Sequence, residues 1–116
     1  MNKKIFLQEY FKKMEKLLNF SEVDLENLIK TSELMLDANK KHKKTLIFGN
    51  GGSAAIASHF SVDVTKNARV RCTNYNESDL LTCFANDYGY EKWVEKAIEF
   101  YSDPDDILVL ISSSGS

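Results

Sequence analysis

The sequence predicts an α/β fold, a parallel sheet covered by helices. Three observations point to it. From Thr45 onward, short apolar runs alternate with segments of helical periodicity. The run Ile107–Ile111 is continuously apolar rather than alternating, as in a strand covered on both faces. The first apolar run breaks directly into Gly49-Asn50-Gly51-Gly52-Ser53, and an Ala-rich helical stretch follows at once. At 116 residues the chain sits in the range of one domain. Its expected layout over 1–116 is a helical part at 1–43 and an α/β part at 44–116.

In the helical part, Ile5, Phe6, Tyr10, Met14, Leu17 and Leu18 recur at helical spacing, with Lys and Glu between them. Asn19 and Phe20 break the run. Ser21-Glu22-Val23-Asp24 then resembles a capping box that opens a second helix, with Asp as a weaker partner than Glu. The apolar face of that helix includes Val23, Leu25, Leu28, Ile29, Leu34, Met35, Leu36 and Ala38. It ends in Lys40-Lys41-His42-Lys43-Lys44, which reads either as cations opposing the helix dipole or as an anion-binding patch.

In the α/β part, Thr45–Phe48 is the first strand and Ala54–Val64 favours helix. A short second strand is expected around Arg69–Cys72. A helix begins near Asn76–Asp79, and Trp93, Val94, Ala97, Ile98 and Tyr101 mark another. The turn Ser102–Asp106 leads into the third strand at Ile107–Ile111.

Composition narrows the function classes. The formal charge is −2, from 15 Lys+Arg and 17 Asp+Glu, so no basic excess supports a nucleic-acid binder driven by electrostatics. The longest apolar run, Ile107–Ile111, is far short of the ~20 residues that span a bilayer. Gln8, Glu9, Lys12 and Lys13 interrupt the first apolar stretch, so no signal peptide is read there. The two cysteines, Cys72 and Cys83, lack metal-like spacing and read as reduced thiols of a cytoplasmic protein.

Two loops carry the candidate chemistry. In Gly49–Ser53, glycines allow a tight turn and close backbone approach, and the helix behind it favours an anion, phosphate above all. A bare strand-to-helix turn is the alternative. Gly49-Asn50-Gly51-Gly52-Ser53-Ala54 satisfies a loose dinucleotide pattern, but Arg69–Tyr75 lacks the acidic residue that pattern requires, and no Gly-Lys-Ser/Thr ending is present. Ser112-Ser113-Ser114-Gly115-Ser116 leaves the third strand at the same sheet edge, and its hydroxyls suit phosphate or sugar oxygens. It reads equally as a polar chain end. His59 and Asp63 share one helix face, as a metal or proton-transfer pair or as a surface ion pair.

Together, Phe48–Ser53, His59-Phe60, Phe84-Ala85-Asn86-Asp87-Tyr88-Gly89-Tyr90 and Ile111–Gly115 resemble the sugar isomerase (SIS) domain, and within it the phosphoheptose isomerases. The resemblance covers the whole chain. It implies a flavodoxin-like parallel sheet and a phosphorylated sugar as ligand. It implies substrate contacts from Asn50, Gly51, Gly52 and Ser53, a sugar contact from Asp87, and a phosphate held by Ser112, Ser113 and Ser114. His59 and Asp63 take the catalytic positions, with Asp63 as base where the family has Glu, and some members bind zinc through such a pair together with downstream ligands. The resemblance further implies a homotetramer or dimer assembled through the N-terminal helices, with sites between subunits.

The reading that follows is ketose–aldose isomerisation of sedoheptulose 7-phosphate or a similar sugar phosphate. The alternative is a non-catalytic phosphosugar-binding module acting as a regulator or oligomeric scaffold. The third strand has no covering helix after it and the second loop stops at Ser116. The expectation is therefore a first portion of a domain with an incomplete sheet, inactive alone and prone to associate through that sheet.

Overall fold

The computed structural model describes residues 2–115. They form two compact units, divided after Ser32.

The first unit holds α1 (Lys3–Leu17) and the start of α2 (Glu22–Lys40). Asn2 caps α1, its Oδ1 accepting from the Lys4 and Ile5 N–H groups at 3.0 and 3.4 Å. The capping box at Ser21 forms with Asp as the partner. Asp24 N–H donates to Ser21 Oγ at 3.2 Å, and Ser21 N–H and Oγ both donate to Asp24 Oδ2, at 3.0 and 2.7 Å. These bonds, led by the Ser21 hydroxyl, hold the Asp24 carboxyl below its ordinary value. The apolar stripe of α1 is left exposed: Ile5, Phe6, Tyr10, Met14 and Leu17 all face outward.

The second unit is an α/β layer structure. Its sheet contains β1 (Thr45–Gly49), β2 (Cys72–Asn74) and β3 (Ile107–Ile111), all parallel, in the order β2-β1-β3. Between the strands run α3 (Gly52–Ala68), α4 (Ser78–Tyr88), a 3-10 turn at Tyr90–Lys92 and α5 (Trp93–Tyr101). Central β1 is buried along its whole length. Ile47, Ala57 and Cys72 form the core on the α3 side, with Phe60, Val64, Val109 and Ile111 packed around them. Leu46, Phe48, Trp93 and Ala97 form the core on the α5 side. Helices thus cover both faces of β1, the helix-covered parallel sheet that the alternation of strands and helices predicted.

Two expectations are corrected. The second strand lies at Cys72–Asn74 rather than Arg69–Cys72, because Arg69 takes a left-handed conformation (φ 58) that ends α3. In addition, the Arg71 N–H is held by Asn39 Oδ1 at 3.0 Å. The third strand is apolar throughout yet covered on only one face: Val109 and Ile111 pack toward α3, while Leu108 and Leu110 are exposed. It is an edge strand in this sheet.

The Lys cluster divides by role. At the end of α2, Lys43 N–H donates to the Ala38 carbonyl (2.9 Å) and His42 N–H to that of Asn39 (3.0 Å), with His42 at φ 60. That is the bonding of a Schellman cap, with histidine where glycine is usual. Lys44 instead turns back to pair with Asp103 and Asp106. Among the described residues no helix is long and apolar enough to cross a membrane.

Candidate functional site

The strand order places a topological switch at β1 and β3: the connection from β1 leads to one side of the sheet, and the chain returns to the other. At such a switch the loops leaving the two strands diverge and open a crevice at their carboxyl ends. Gly49 and Ile111 are paired residues at those ends, so Asn50 and Ser112 begin their loops side by side. Chain segments 62 positions apart in register are thus brought to one rim, where a cavity of about 460 Å³ opens.

The glycine loop is shaped by two positions. At Gly49 an added Cβ would lie 2.2 Å from the Ser53 carbonyl oxygen, so only glycine lets α3 start this close to the strand. At Gly51, φ 56 and ψ −121 put the residue at the first corner of a tight turn, closed by Ser53 N–H on the Asn50 carbonyl at 3.0 Å. The first turn of α3 therefore faces the crevice without a side-chain cap. In the second loop, Ser112 Oγ accepts from Gly115 N–H at 3.0 Å and lies 3.3 Å from Ser114 Oγ. Ser116 is outside the described residues.

Five of the expected site residues line this cavity: Asn50, Ser53, Ser112, Ser113 and Ser114. Its apolar floor comes from Phe48, Trp93, Val94, Leu110 and Ile111. Phe48 and Trp93 meet edge to face, with centroids 5.8 Å apart. Among the described lining residues none carries a charge, so an anion held here would be met by hydroxyls, backbone N–H groups and a helix terminus. Gly51 and Gly52 shape the loop and do not line the cavity.

Three expected residues stand elsewhere. His59 and Asp63 lie on α3, turned away from the Ala57–Ser61 face that packs on the sheet. Their side chains are 80% and 51% exposed, and His59 Nε2 is 3.4 Å from Asp63 Oδ2. Asp87, near the end of α4, accepts from the Cys83 thiol and the Asn86 carboxamide. Its charge is the chief reason the Cys83 thiol is pushed up from its ordinary value.

His59 and Asp63 offer two metal donors, and among the described residues no third His, Cys, Asp or Glu joins a group with them. A catalytic zinc takes about three protein ligands. His59 and Asp63 would supply two of those ligands.

Reading the sequence missed the contributions of Trp93 and Val94 to the cavity, since their spacing marks a packing face and says nothing of which end is open. It also missed Tyr90, whose hydroxyl donates to Asn50 Oδ1. The signal available for it was Gly89, which interrupts the helix immediately before it.

The profile of the family described as "SIS domain" matches residues 9–116. The phosphoheptose isomerase of Aliarcobacter butzleri is 30% identical over 120 residues, covering 98% of this chain and 64% of the relative. That of Buchnera aphidicola is 33% identical over 123 residues, covering all of this chain and 64% of the relative. The solved structure of a phosphoheptose isomerase from Neisseria gonorrhoeae superposes with a TM-score of 0.83 at 26% identity, covering 97% of this chain and 61% of that one. The chain thus spans slightly under two thirds of the length of these relatives. A two-faced parallel sheet with both loops at its switch point, together with the profile match over residues 9–116, establishes that this chain belongs to the SIS domain family.

Proposed function

We infer that this chain contributes the substrate-binding crevice of a phosphosugar isomerase of the phosphoheptose type, converting sedoheptulose 7-phosphate or a similar sugar phosphate between its ketose and aldose forms. The observation that carries the reading is the meeting of Gly49–Ser53 with Ser112–Ser114 around one uncharged, donor-rich cavity at the switch point. Relatives named phosphoheptose isomerase share the sequence across nearly the whole chain.

In this reading the serine loop and the first turn of α3 hold the phosphate, while Asn50 and Ser53 hold sugar oxygens. Isomerisation moves a proton between adjacent carbons and needs a base and a means of stabilising the enediolate. Asp63 is the proposed base and His59 its orienting partner, supported by their ion pair on the helix that begins at the glycine loop. They project from the outer face of α3, away from the sheet. Their service is therefore to a site shared with a second subunit, which makes a homo-oligomer part of the proposal. The exposed apolar stripe of α1 supports that assembly. Asp87 is proposed to join the site as a sugar contact. A cytoplasmic setting belongs to the same reading, supported by free thiols at Cys72 and Cys83.

The test is turnover of sedoheptulose 7-phosphate by the intact protein. Activity is expected in the unaltered protein, and Asp63→Asn should abolish turnover while leaving substrate binding within a few-fold. Binding without turnover in the unaltered protein would favour a phosphosugar-binding module instead, and no binding would overturn both readings.

A further inference from the structure

The hydrogen bond between Tyr90 and Asn50 spans 40 positions of sequence. Its construction starts at Gly89, where φ 90 and ψ 142 are accessible essentially to glycine alone. A Cβ at Gly89 would also lie 2.6 Å from the Glu91 carboxylate. Through this residue the chain leaves α4 and enters the 3-10 turn at Tyr90–Lys92, closed by Lys92 N–H on the Gly89 carbonyl at 3.0 Å. The same turn leads into Trp93, which is buried in the cavity floor. Tyr90, itself exposed, thereby reaches the side chain of Asn50, while Asn50 lines the cavity.

A carboxamide presents an acceptor at one end and two donors at the other, and free rotation would let Asn50 offer either. The Tyr90 phenol donates to the oxygen end, which leaves the donor end of the carboxamide for another partner. We propose that Tyr90 is a positioning residue that fixes Asn50 as a hydrogen-bond donor into the cavity, selecting ligands that place a carbonyl or hydroxyl oxygen beside it. The proposal rests on the reading of the cavity as a sugar-phosphate site. It deepens that reading by assigning the polarity of the sugar end, apart from the phosphate end at the serine loop.

The decisive experiment is a double-mutant cycle on the intact protein with Tyr90→Phe and Asn50→Ala. Calorimetric titrations use sedoheptulose 7-phosphate and, separately, inorganic phosphate. Loss of one ordered hydrogen bond predicts that Tyr90→Phe weakens sugar-phosphate binding about five- to tenfold. Inorganic phosphate should bind within about twofold of the unaltered protein, since the Asn50 side chain is assigned to sugar oxygens and not to the phosphate. In the Asn50→Ala background, Tyr90→Phe should cause no further loss. Additive losses in a protein that binds the sugar phosphate would overturn the role of Tyr90 and leave the functional reading intact. The Asn50 side-chain amide resonances supply a readout that needs no ligand and that a general loosening of the fold would not single out. Tyr90→Phe should shift them selectively, and unchanged resonances overturn the role of Tyr90 in every case. If the unaltered protein binds no sugar phosphate, the functional reading falls and the ligand assignment falls with it.

Discussion

The Lys44 ammonium lies 2.6 Å from the Asp106 carboxylate, and the two residues join the start of β1 to the turn that delivers β3. The Asp106 side chain is only 3% exposed, and three donors converge on it: Lys44 Nζ, the Lys44 N–H at 3.0 Å and the Asp103 N–H at 2.8 Å. The Ile107 N–H completes the join by donating to the Lys44 carbonyl at 3.0 Å. A parallel strand pair has no hairpin to set its register, so a side-chain clamp at the entry to both strands does so here. That register is what aligns Asn50 with Ser112 at the far end.

Removing the Asp106 carboxylate should therefore cost more than a surface pair. Asp106→Ala is expected to lower stability by about 3 kcal/mol in chemical denaturation, because it leaves two backbone N–H groups without their acceptor and a largely buried ammonium with only the exposed Asp103 carboxylate as partner. A loss below about 1 kcal/mol would show that the clamp is dispensable.

The same pair sets a pH dependence. Burial by itself would push the Asp106 carboxyl up, but the hydrogen bonds from Lys44 and Asp103 outweigh it and hold the group below its ordinary 3.8. A carboxyl lowered on folding contributes stability that is complete above the unfolded value and is lost as pH falls through the folded one. Stability should decline below about pH 4, and Asp106→Asn should flatten that limb. Lys44 is raised above 10.5, chiefly by Asp103 and then Asp106. Its contribution is complete below 10.5 and is lost as pH rises through the higher folded value.

His42 occupies a left-handed position that costs a side chain roughly 1 kcal/mol or more. His42→Gly removes that strain at the end of α2, offset in part by the greater freedom of glycine in the unfolded chain. A net gain of about 0.5 kcal/mol is expected from denaturation midpoints at constant m-value.

Gly49 permits the contact on which the cavity depends. Gly49→Ala places a methyl against the Ser53 carbonyl and should destabilise the protein by about 2 kcal/mol while shifting the first turn of α3. Sugar-phosphate affinity should fall together with stability. Ser113→Ala, at an exposed position of the other loop, should lower affinity with little change in the denaturation midpoint.

The two thiols should react at different rates for different reasons. Burial pushes Cys72 up to about 11, so it should resist alkylation in the folded protein. Cys83 is exposed but raised by Asp87. Asp87→Asn should accelerate alkylation at Cys83 and leave Cys72 unchanged, as read by mass spectrometry over time.

The alternation of strands and helices, the capping box at Ser21 and the two candidate loops were legible in the sequence. Each depends on near neighbours in the chain: periodicity, a cap three residues from its partner, or glycines that release the backbone. Where neighbours were insufficient, the reading slipped. The second strand moved to Cys72–Asn74 because Asn39, 32 positions earlier, takes the Arg71 N–H. Apolar β3 looked doubly covered because composition records what a face could bury and not what lies upon it. Long-range packing makes Gly49 and Ile111 pair, brings Trp93 to line the cavity between their loops, lets Tyr90 reach Asn50 and sets His59 and Asp63 apart from that cavity. These are relations between distant segments, set by strand order and by the packing of α3 and α5 on opposite faces of one sheet.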